Sequence, residues 1–557
     1  MSAFFKARAT LESSHFEVPK SSHIALLSQA SKSQAQVYAL FGGQGANEVY
    51  FDELQSLFDI YQPYVEDFLS QASITLVNLA NKSTDNGSVY YSQSIDVLKW
   101  LKNNETRPDV SYLASIPLSL PLIGLTQLVQ YLAFASSCSI SPGQLRDSIV
   151  GATGHSQGVI SAVVTACSNS TQDFTLNAMK ALKILFYIGL RGQETFPTLS
   201  IEPSIVSDSI EGGEGEPTPM LSVSGLSLKV LEKHVQITNN HLNDSSKIAV
   251  TLHNGPRNFI VTGPPRSLYG LVTNLRKVRA PTGLDQSKVP FSKRKAVFSS
   301  RFLVVGVPYH SSYLQAATPK VINEDLNNEE LWSPSELKLA VYHTETGQDL
   351  REIKSSLTQS LVSQIFTQPI YWTKATNFPT TATHAIDFGP GGMSGIGPLT
   401  QRNWEGRGIR VLIPGANGKT GSEIYQSTLI REEKWSEKFQ PSLVKTKDGK
   451  IHLDTPFSRL LGKPPLMVAG MTPSTVKGGF VSAVLNAGYH IELAGGGHYN
   501  AKMLRAKVAE IQSKIEPGNG LTLNALYINQ RQFTFQLPLW QQMRQELVLF
   551  YYYLNLY

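Results

Sequence analysis

Cysteine is nearly missing: the 557 residues contain only Cys138 and Cys167. Two thiols make neither a disulfide framework nor a zinc cluster, which excludes a stapled secreted scaffold and predicts a reducing, cytoplasmic setting. Charge is also sparse, at 17% of residues, against 41% hydrophobic. That balance excludes wholesale disorder. The opening MSAFFKARATLESSHF has no apolar run of signal-peptide length. Metal motifs are missing too: His490, Glu492 and His498 match no ligand spacing, and no metal is expected. The run Gly415-Ala416-Asn417-Gly418-Lys419-Thr420 has Ile413 where a phosphate-binding loop needs glycine, so it reads as a surface turn.

Ser111 to Leu145 has no charged residue and is long enough to cross a bilayer. It carries Pro117, Pro121, Gln127 and Gln130, with Leu125, Leu128, Val129 and Leu132 at helical spacing. This predicts a buried helix after a proline-broken lead-in, and no membrane partner. The net charge of +6 is concentrated: Arg276 to Arg301 holds eight basic residues against Asp285 alone. Such a patch fits a solvated face, coenzyme A phosphates or an acidic carrier protein. Nucleic acid is not expected, because aromatic and basic residues do not interleave.

At about 150 residues per domain, the length predicts roughly three to four domains. Residues 1–36 are a polar lead-in. From Val37, strand-like runs alternate with helical periodicity, which predicts a parallel α/β sheet. The pattern changes after the loop Glu211 to Pro219. The order β-α-β-β-α over about 218–300 predicts a ferredoxin-like inset. The α/β pattern resumes to residue 431, a charged connector covers 432–459, and a β-α-β-α-β series fills 460–545. The tail 546–557, ELVLFYYYLNLY, is apolar and β-prone. It reads either as the final element of a folded domain or as a chain whose proper continuation has been lost.

Gly154-His155-Ser156-Gln157-Gly158 follows a strand and precedes the helical Val159 to Ala166. This is a nucleophile elbow in the context it requires, with Ser156 presented above the sheet and a helix N-terminus beside it. His155 adjoins the serine on a tight turn and reads as a packing residue. His310, in Val307-Pro308-Tyr309-His310-Ser311-Ser312, is the better candidate base. Phe41-Gly42-Gly43-Gln44-Gly45 follows the first strand and is either an ordinary βα turn or a second source of oxyanion N–H groups.

These pieces in this order resemble the malonyl/acetyl-transferase family. With Val261-Thr262-Gly263-Pro264, Gly283 to Ser287 (GLDQS), Asp387 to Gly392 (DFGPGG) and Gly470 to Pro473 (GMTP), the chain is similar to the β subunit of the fungal-type fatty acid synthase. The resemblance implies an α/β fold: an α/β-hydrolase-like acyltransferase core with the ferredoxin-like inset, followed by an incomplete TIM-barrel segment. It implies that Ser156 accepts the acyl group, His310 is its base, and Gln44 and Gln157 give the oxyanion-hole backbone N–H groups. It also implies that Tyr371, in Pro369-Ile370-Tyr371-Trp372, orients His310 through its backbone.

Malonyl-loading relatives hold the substrate carboxylate with an arginine. Counting from Pro197 puts Ile188 at that position, which implies a neutral acyl group. The rival alignment on Leu190-Arg191-Gly192 would supply Arg191 instead. The implied reaction moves an acetyl or other short starter from acyl-CoA to the phosphopantetheine of an acyl carrier protein, with an α subunit as partner and no cofactor bound. FMN and NADPH belong to the full-length family. Gly470, Met471 and Thr472 would lie in its flavin segment, but 94 residues from Pro464 onward fall short of the roughly 200 a barrel needs, so enoyl reduction is not expected. Two rivals stay open: an esterase or thioesterase of α/β-hydrolase type, which needs an Asp or Glu between Ser and His, and a non-catalytic truncated subunit.

Overall fold

Strand β1 (Val37–Phe41) is apolar at every position and buried at every position, as the centre of a parallel sheet covered on both faces must be. The computed structural model describes residues 24–45, 47–281, 283–415, 428–525 and 529–546. The lead-in up to residue 23, most of the 415–420 run and the tail from 547 lie outside them. Two compact units are present, one formed by residues up to Arg279 with Ala296–Glu432, the other by Ala280–Lys295 with Glu433–Tyr557.

In the first unit, β1 leads into α1 (Tyr50–Asp85), which breaks at Tyr61, two residues before Pro63. A proline inside a helix removes one backbone bond and crowds the preceding turn, which kinks the run. Helix α2 (Ile116–Ser137) is buried along nearly its whole length. An apolar surface all round a helix places it in a core. Pro117 does not break its start, as expected from sequence, but sits in the first turn, where an N–H has no partner to lose. Strand β2 (Gly151–Gly154), α3 (Gly158–Cys167) and α4 (Thr171–Thr195) follow.

The inset runs β3 (Met220–Ser224), α5 (Leu228–Asn239), β4 (Ala249–Gly255), β5 (Asn258–Thr262), α6 (Pro265–Arg276) and β6 (Ser299–Phe302). Its strands lie in the order β6-β3-β5-β4, antiparallel throughout, the arrangement of a split βαβ unit. The described residues of 280–295 include no buried side chain, and this stretch groups outside the inset. The basic run is not one face either. Arg276 pairs with Asp208 and Glu214 at 2.6 Å each, and Arg279 with Glu214 at 2.8 Å.

The chain returns through β7 (Ala340–Tyr342), α7 (Leu357–Phe366), β8 (Ile370–Tyr371), β9 (His384–Asp387), α8 (Ile396–Asn403) and β10 (Arg410–Leu412). The parallel sheet is β10-β9-β1-β2-β7. Strand β8 joins the inset instead, parallel to β4.

The second unit has a hairpin, β11 (Ser442–Lys445) and β12 (Ile451–Asp454), inside the stretch read as a connector. Beyond it, β13 (Met467–Val468), α9 (Gly478–Asn486), β14 (His490–Ala494), α10 (Ala501–Gln512), β15 (Thr522–Asn524) and α11 (Gln530–Glu546) form a three-stranded parallel sheet with its helices. Val481, Ile491, Leu493, Leu504, Val508 and Trp540 give it a core of its own.

Candidate active site

Strand β2 ends at Gly154 and α3 begins at Gly158, so three residues reverse the chain. A Cβ on Gly154 would overlap the Gly158 backbone, and one on Gly158 would overlap the carbonyls of Gly42 and Phe41. Only glycine fits at either place. Ser156, between them, takes φ 53°, a left-handed backbone that a non-glycine residue holds only where its surroundings impose it.

Ser156 Oγ lies 2.8 Å from His310 Nε2. His310, at φ 61°, is held by the C-terminus of α7: its N–H donates to Ile365 O at 3.1 Å, and the Ser311 N–H to Phe366 O at 3.0 Å. Those last helix carbonyls have no partner within the helix, so the loop takes them up. His310 Nδ1 contacts Gln368 O at 2.9 Å. A carbonyl can only accept, which fixes the tautomer with Nδ1 protonated and Nε2 free to take a proton from Ser156.

The orienting carbonyl is therefore Gln368 and not Tyr371. Tyr371 is drawn away by the inset: it pairs with His253 in β4, stacks on that ring at 4.5 Å, and donates its N–H to Thr344 O. Gln368 stands one position before the Pro369-Ile370-Tyr371-Trp372 motif, and a residue before proline is kept extended.

Ser156 and His310 are 7% and 2% exposed, so the pair works nearly out of water. Burial pushes His310 down to about 4 against the raising effect of the Gln368 bond, and the ring is neutral at pH 7. His155 points away from the serine. Its Nε2 meets Asn254 Oδ1 at 2.8 Å and its ring meets Trp372 edge-on.

The loop 42–45 packs on the elbow. A Cβ on Gly43 would be 2.7 Å from His155 O. Gln44 Nε2 donates to Gln157 Oε1 at 3.0 Å, and Gln157 Nε2 to Leu120 O at 2.8 Å. The side chains of Gln44 and Gln157 are thus used in holding the two turns together. Their backbone N–H groups have no acceptor among the described residues.

Ile188 is fully buried in α4, and one turn on a Cβ at Gly192 would be 2.9 Å from the Tyr309 hydroxyl. Arg191 binds Asp325 through Nε at 2.9 Å and Nη2 at 2.8 Å, and Glu194 through Nη1 at 2.9 Å. Its guanidinium is already occupied by carboxylates of the protein.

In the second unit, Gly470 N–H donates to Glu492 Oε2 at 2.8 Å and Met471 N–H to Thr475 Oγ1 at 2.8 Å, beside Thr472. A Cβ at Gly470 would be 2.5 Å from Asn524 Cβ, and one at Gly495 2.5 Å from Asn524 O. The space a Cβ would take at these two glycines is filled by the unit's own atoms, and no flavin chemistry is assigned to them. No group of His, Cys, Asp and Glu among the described residues could hold a metal ion.

The strand–turn–helix serine, the buried histidine behind it and the parallel sheet beneath define an α/β protein with a serine-nucleophile site. The family described as starter unit:ACP transacylase in aflatoxin biosynthesis matches residues 39–295. The fatty acid synthase subunit beta of Saccharomyces cerevisiae is 42% identical over 538 residues, 95% of this chain and 26% of that protein. The subunit of Schizosaccharomyces pombe is 42% identical over 94% of this chain and 25% of that protein. The beta subunit aflB of Emericella nidulans is 39% identical over 94% and 25%. Among solved structures, a type II polyketide malonyl-transacylase in complex with its acyl-carrier protein has a TM-score of 0.47 at 16% identity, covering 70% of this chain and 97% of that one. The chain is similar to the fungal fatty acid synthase β subunits, and spans about a quarter of the length of the curated relatives it matches.

Proposed function

We propose that the first unit is an acyltransferase that moves an acetyl or other short starter group from acyl-CoA to the phosphopantetheine thiol of an acyl carrier protein. Ser156 Oγ attacks the thioester carbonyl while His310 Nε2 takes its proton. The coenzyme A thiolate leaves and takes that proton back. In the second half, His310 accepts the carrier thiol's proton, the thiolate attacks the acyl-serine, and Ser156 leaves as the alcohol. The N–H groups of Gln44 and Gln157 face the oxyanion in both halves. The observation that carries this reading is that His310 Nδ1 meets a backbone carbonyl, Gln368 O, and no carboxylate. An esterase of α/β-hydrolase type needs an Asp or Glu there.

Near-complete burial of Ser156 and His310 further supports transfer over hydrolysis, since water must be kept from the acyl-serine. The relatives' names supply fatty acid synthesis as the setting. A synthase α subunit as partner and the cytoplasm belong to the same proposal, and both cysteines being free agrees with the cytoplasm. The β-α-β-α-β-α order of the second unit supports reading it as part of an enoyl-reductase-like β/α barrel. The test is labelling with radioactive acetyl-CoA followed by holo carrier protein. Label should sit on Ser156, be absent from Ser156→Ala, and pass to the carrier faster than it is lost to water. Label on the Ala variant would sink the assignment, and prompt hydrolysis without carrier would favour the esterase.

A further inference from the structure

Gln127 stands midway along α2, a helix without a charged residue, and it is fully buried. An amide there is costly unless its bonds are made. Nε2 donates to the carbonyls of Gly42 at 2.7 Å and Gly389 at 3.0 Å, and Oε1 accepts from Ser161 Oγ at 2.6 Å. One side chain therefore joins three elements: the loop after β1, the loop after β9, and α3.

Each partner is itself fixed. The Gly42 N–H donates to Gly389 O at 2.9 Å, so the residue is clamped through both its N–H and its carbonyl. A Cβ on Gly42 would come 3.0 Å from Gly389 O, which makes this approach one for glycine. The Gly389 loop is anchored by Asp387, which accepts from Gly389 N at 2.9 Å and Gly397 N at 2.7 Å. On the other side, Ser161 lies four residues after Gln157, on the same face of the helix that opens at the elbow. Gln44 lies two residues after Gly42. The two backbone N–H groups assigned to the oxyanion belong to different elements, and Gln127 is bonded to both of those elements.

We infer that Gln127 is a positioning residue for the oxyanion hole. It sets the separation of the Gln44 and Gln157 N–H groups without touching the acyl group. The inference rests on the acyl-serine reading above. Donors aimed at a developing oxyanion act on the transition state and leave ground-state binding alone. Loosening their spacing should therefore lower the acylation rate and spare KM.

The experiment uses the full chain carrying Gln127→Met, which keeps the length and loses all three bonds. A fluorophosphonate titrates the reactive serine to count folded sites, and quenched flow measures labelling from radioactive acetyl-CoA. With the active fraction equal to wild type, the rate constant at saturation should fall by about 30-fold or more, approaching the roughly 10²- to 10³-fold of a lost oxyanion donor, and KM should stay within about 3-fold. A rate within about 2-fold of wild type, or a raised KM at unchanged rate, overturns the inference. Should Gln127→Met yield few active sites, Ser161→Ala, which frees only Oε1, should slow the same constant by about 3- to 10-fold, and an unaltered rate overturns it. Ser156→Ala run alongside separates the two readings. If its label persists, the acyl-serine reading fails. If its label is lost while Gln127→Met keeps the wild-type rate, the positioning role alone fails.

Discussion

His155 Nε2 and Asn254 Oδ1 are hydrogen-bonded at 2.8 Å, tying the residue before the nucleophile to the end of β4 in the inset. Burial pushes His155 down to about 4, against the raising effect of Asn254, so the ring is neutral at pH 7 and donates from Nε2. That strand end is held a second time, where Asn403 Nδ2 donates to Asn254 O at 2.7 Å. The inset thus bears directly on the elbow.

Replacing His155 with Leu should leave the Asn254 oxygen buried without its donor. The expected cost is about 1 to 3 kcal/mol of stability, read from the denaturant midpoint. Labelling of Ser156 should fall far less than in His310→Ala, where loss of the base removes about two to four orders of magnitude. Equal losses in the two variants would mean that His155 takes part in the proton transfer.

Acylation should be flat from about pH 8 to well below pH 6 and fall only as the pH approaches 4, because His310 must be neutral to accept the serine proton. An acid limb centred near 6.5 would show that the ring is hydrated and the site open. Stability should respond with the same sign. Folding lowers this pKa from 6.5 to about 4, so the unfolded chain binds the proton first and stability is lost as the pH falls through that window. His155 and His343, both held near 4 by burial, add to the loss. Asp387 opposes it: burial raises it to about 7, so its contribution fades only as the pH rises toward that value.

Arg191→Met should be a stability variant and leave the choice of acyl group alone. Asp325, whose side chain is 7% exposed, would lose its bidentate partner, and Glu194 its ion pair. Breaking such a pair costs about 3 kcal/mol, less here because the arginine keeps some contact with solvent. Denaturation checks the first expectation, and the ratio of malonyl to acetyl loading checks the second. A selective loss of malonyl loading would make Arg191 the carboxylate ligand.

The elbow was legible because its constraint is local: two glycines, a strand before and a helix after are all written within Gly151 to Cys167. Strand β1 was legible for a similar reason, since it is a short apolar run with the turn residues Gly42 and Gly43 after it. Residues that act across the fold were not. Gln368 is one of many glutamines until α7 and Pro369 place its carbonyl behind His310, and Asn254 gains meaning only when the inset folds back on the elbow. Strand β8 is two residues long, too short for any periodicity, and only the partner strand β4 makes it a strand. Gln127 did leave a trace, as an amide in a charge-free apolar helix, but its three acceptors and donors lie 34 to 262 residues away.

The choice of acyl group turns on Ile188. In a malonyl-loading pocket an arginine compensates the desolvation of the substrate carboxylate, which for an unpaired charge is several kcal/mol, roughly. Here Ile188 is buried on α4, on the face where Gly192 lies against Tyr309, the residue next to the base. The nearest arginine along that helix, Arg191, is bonded to Asp325 and Glu194 and has no vacant edge for a malonyl carboxylate. A short alkyl group gains about 0.8 kcal/mol per buried methylene against such a surface. Acetyl-CoA should then exceed malonyl-CoA in kcat/KM by about two orders of magnitude, equivalent to about 2.7 kcal/mol. Ile188→Arg should narrow that ratio if the longer side chain finds room, and Ile188→Ala should shift preference toward longer acyl chains by opening the pocket. Comparable loading of malonyl and acetyl by the wild-type chain, unchanged in Ile188→Ala, would remove Ile188 from the acyl pocket and with it the argument for a neutral starter.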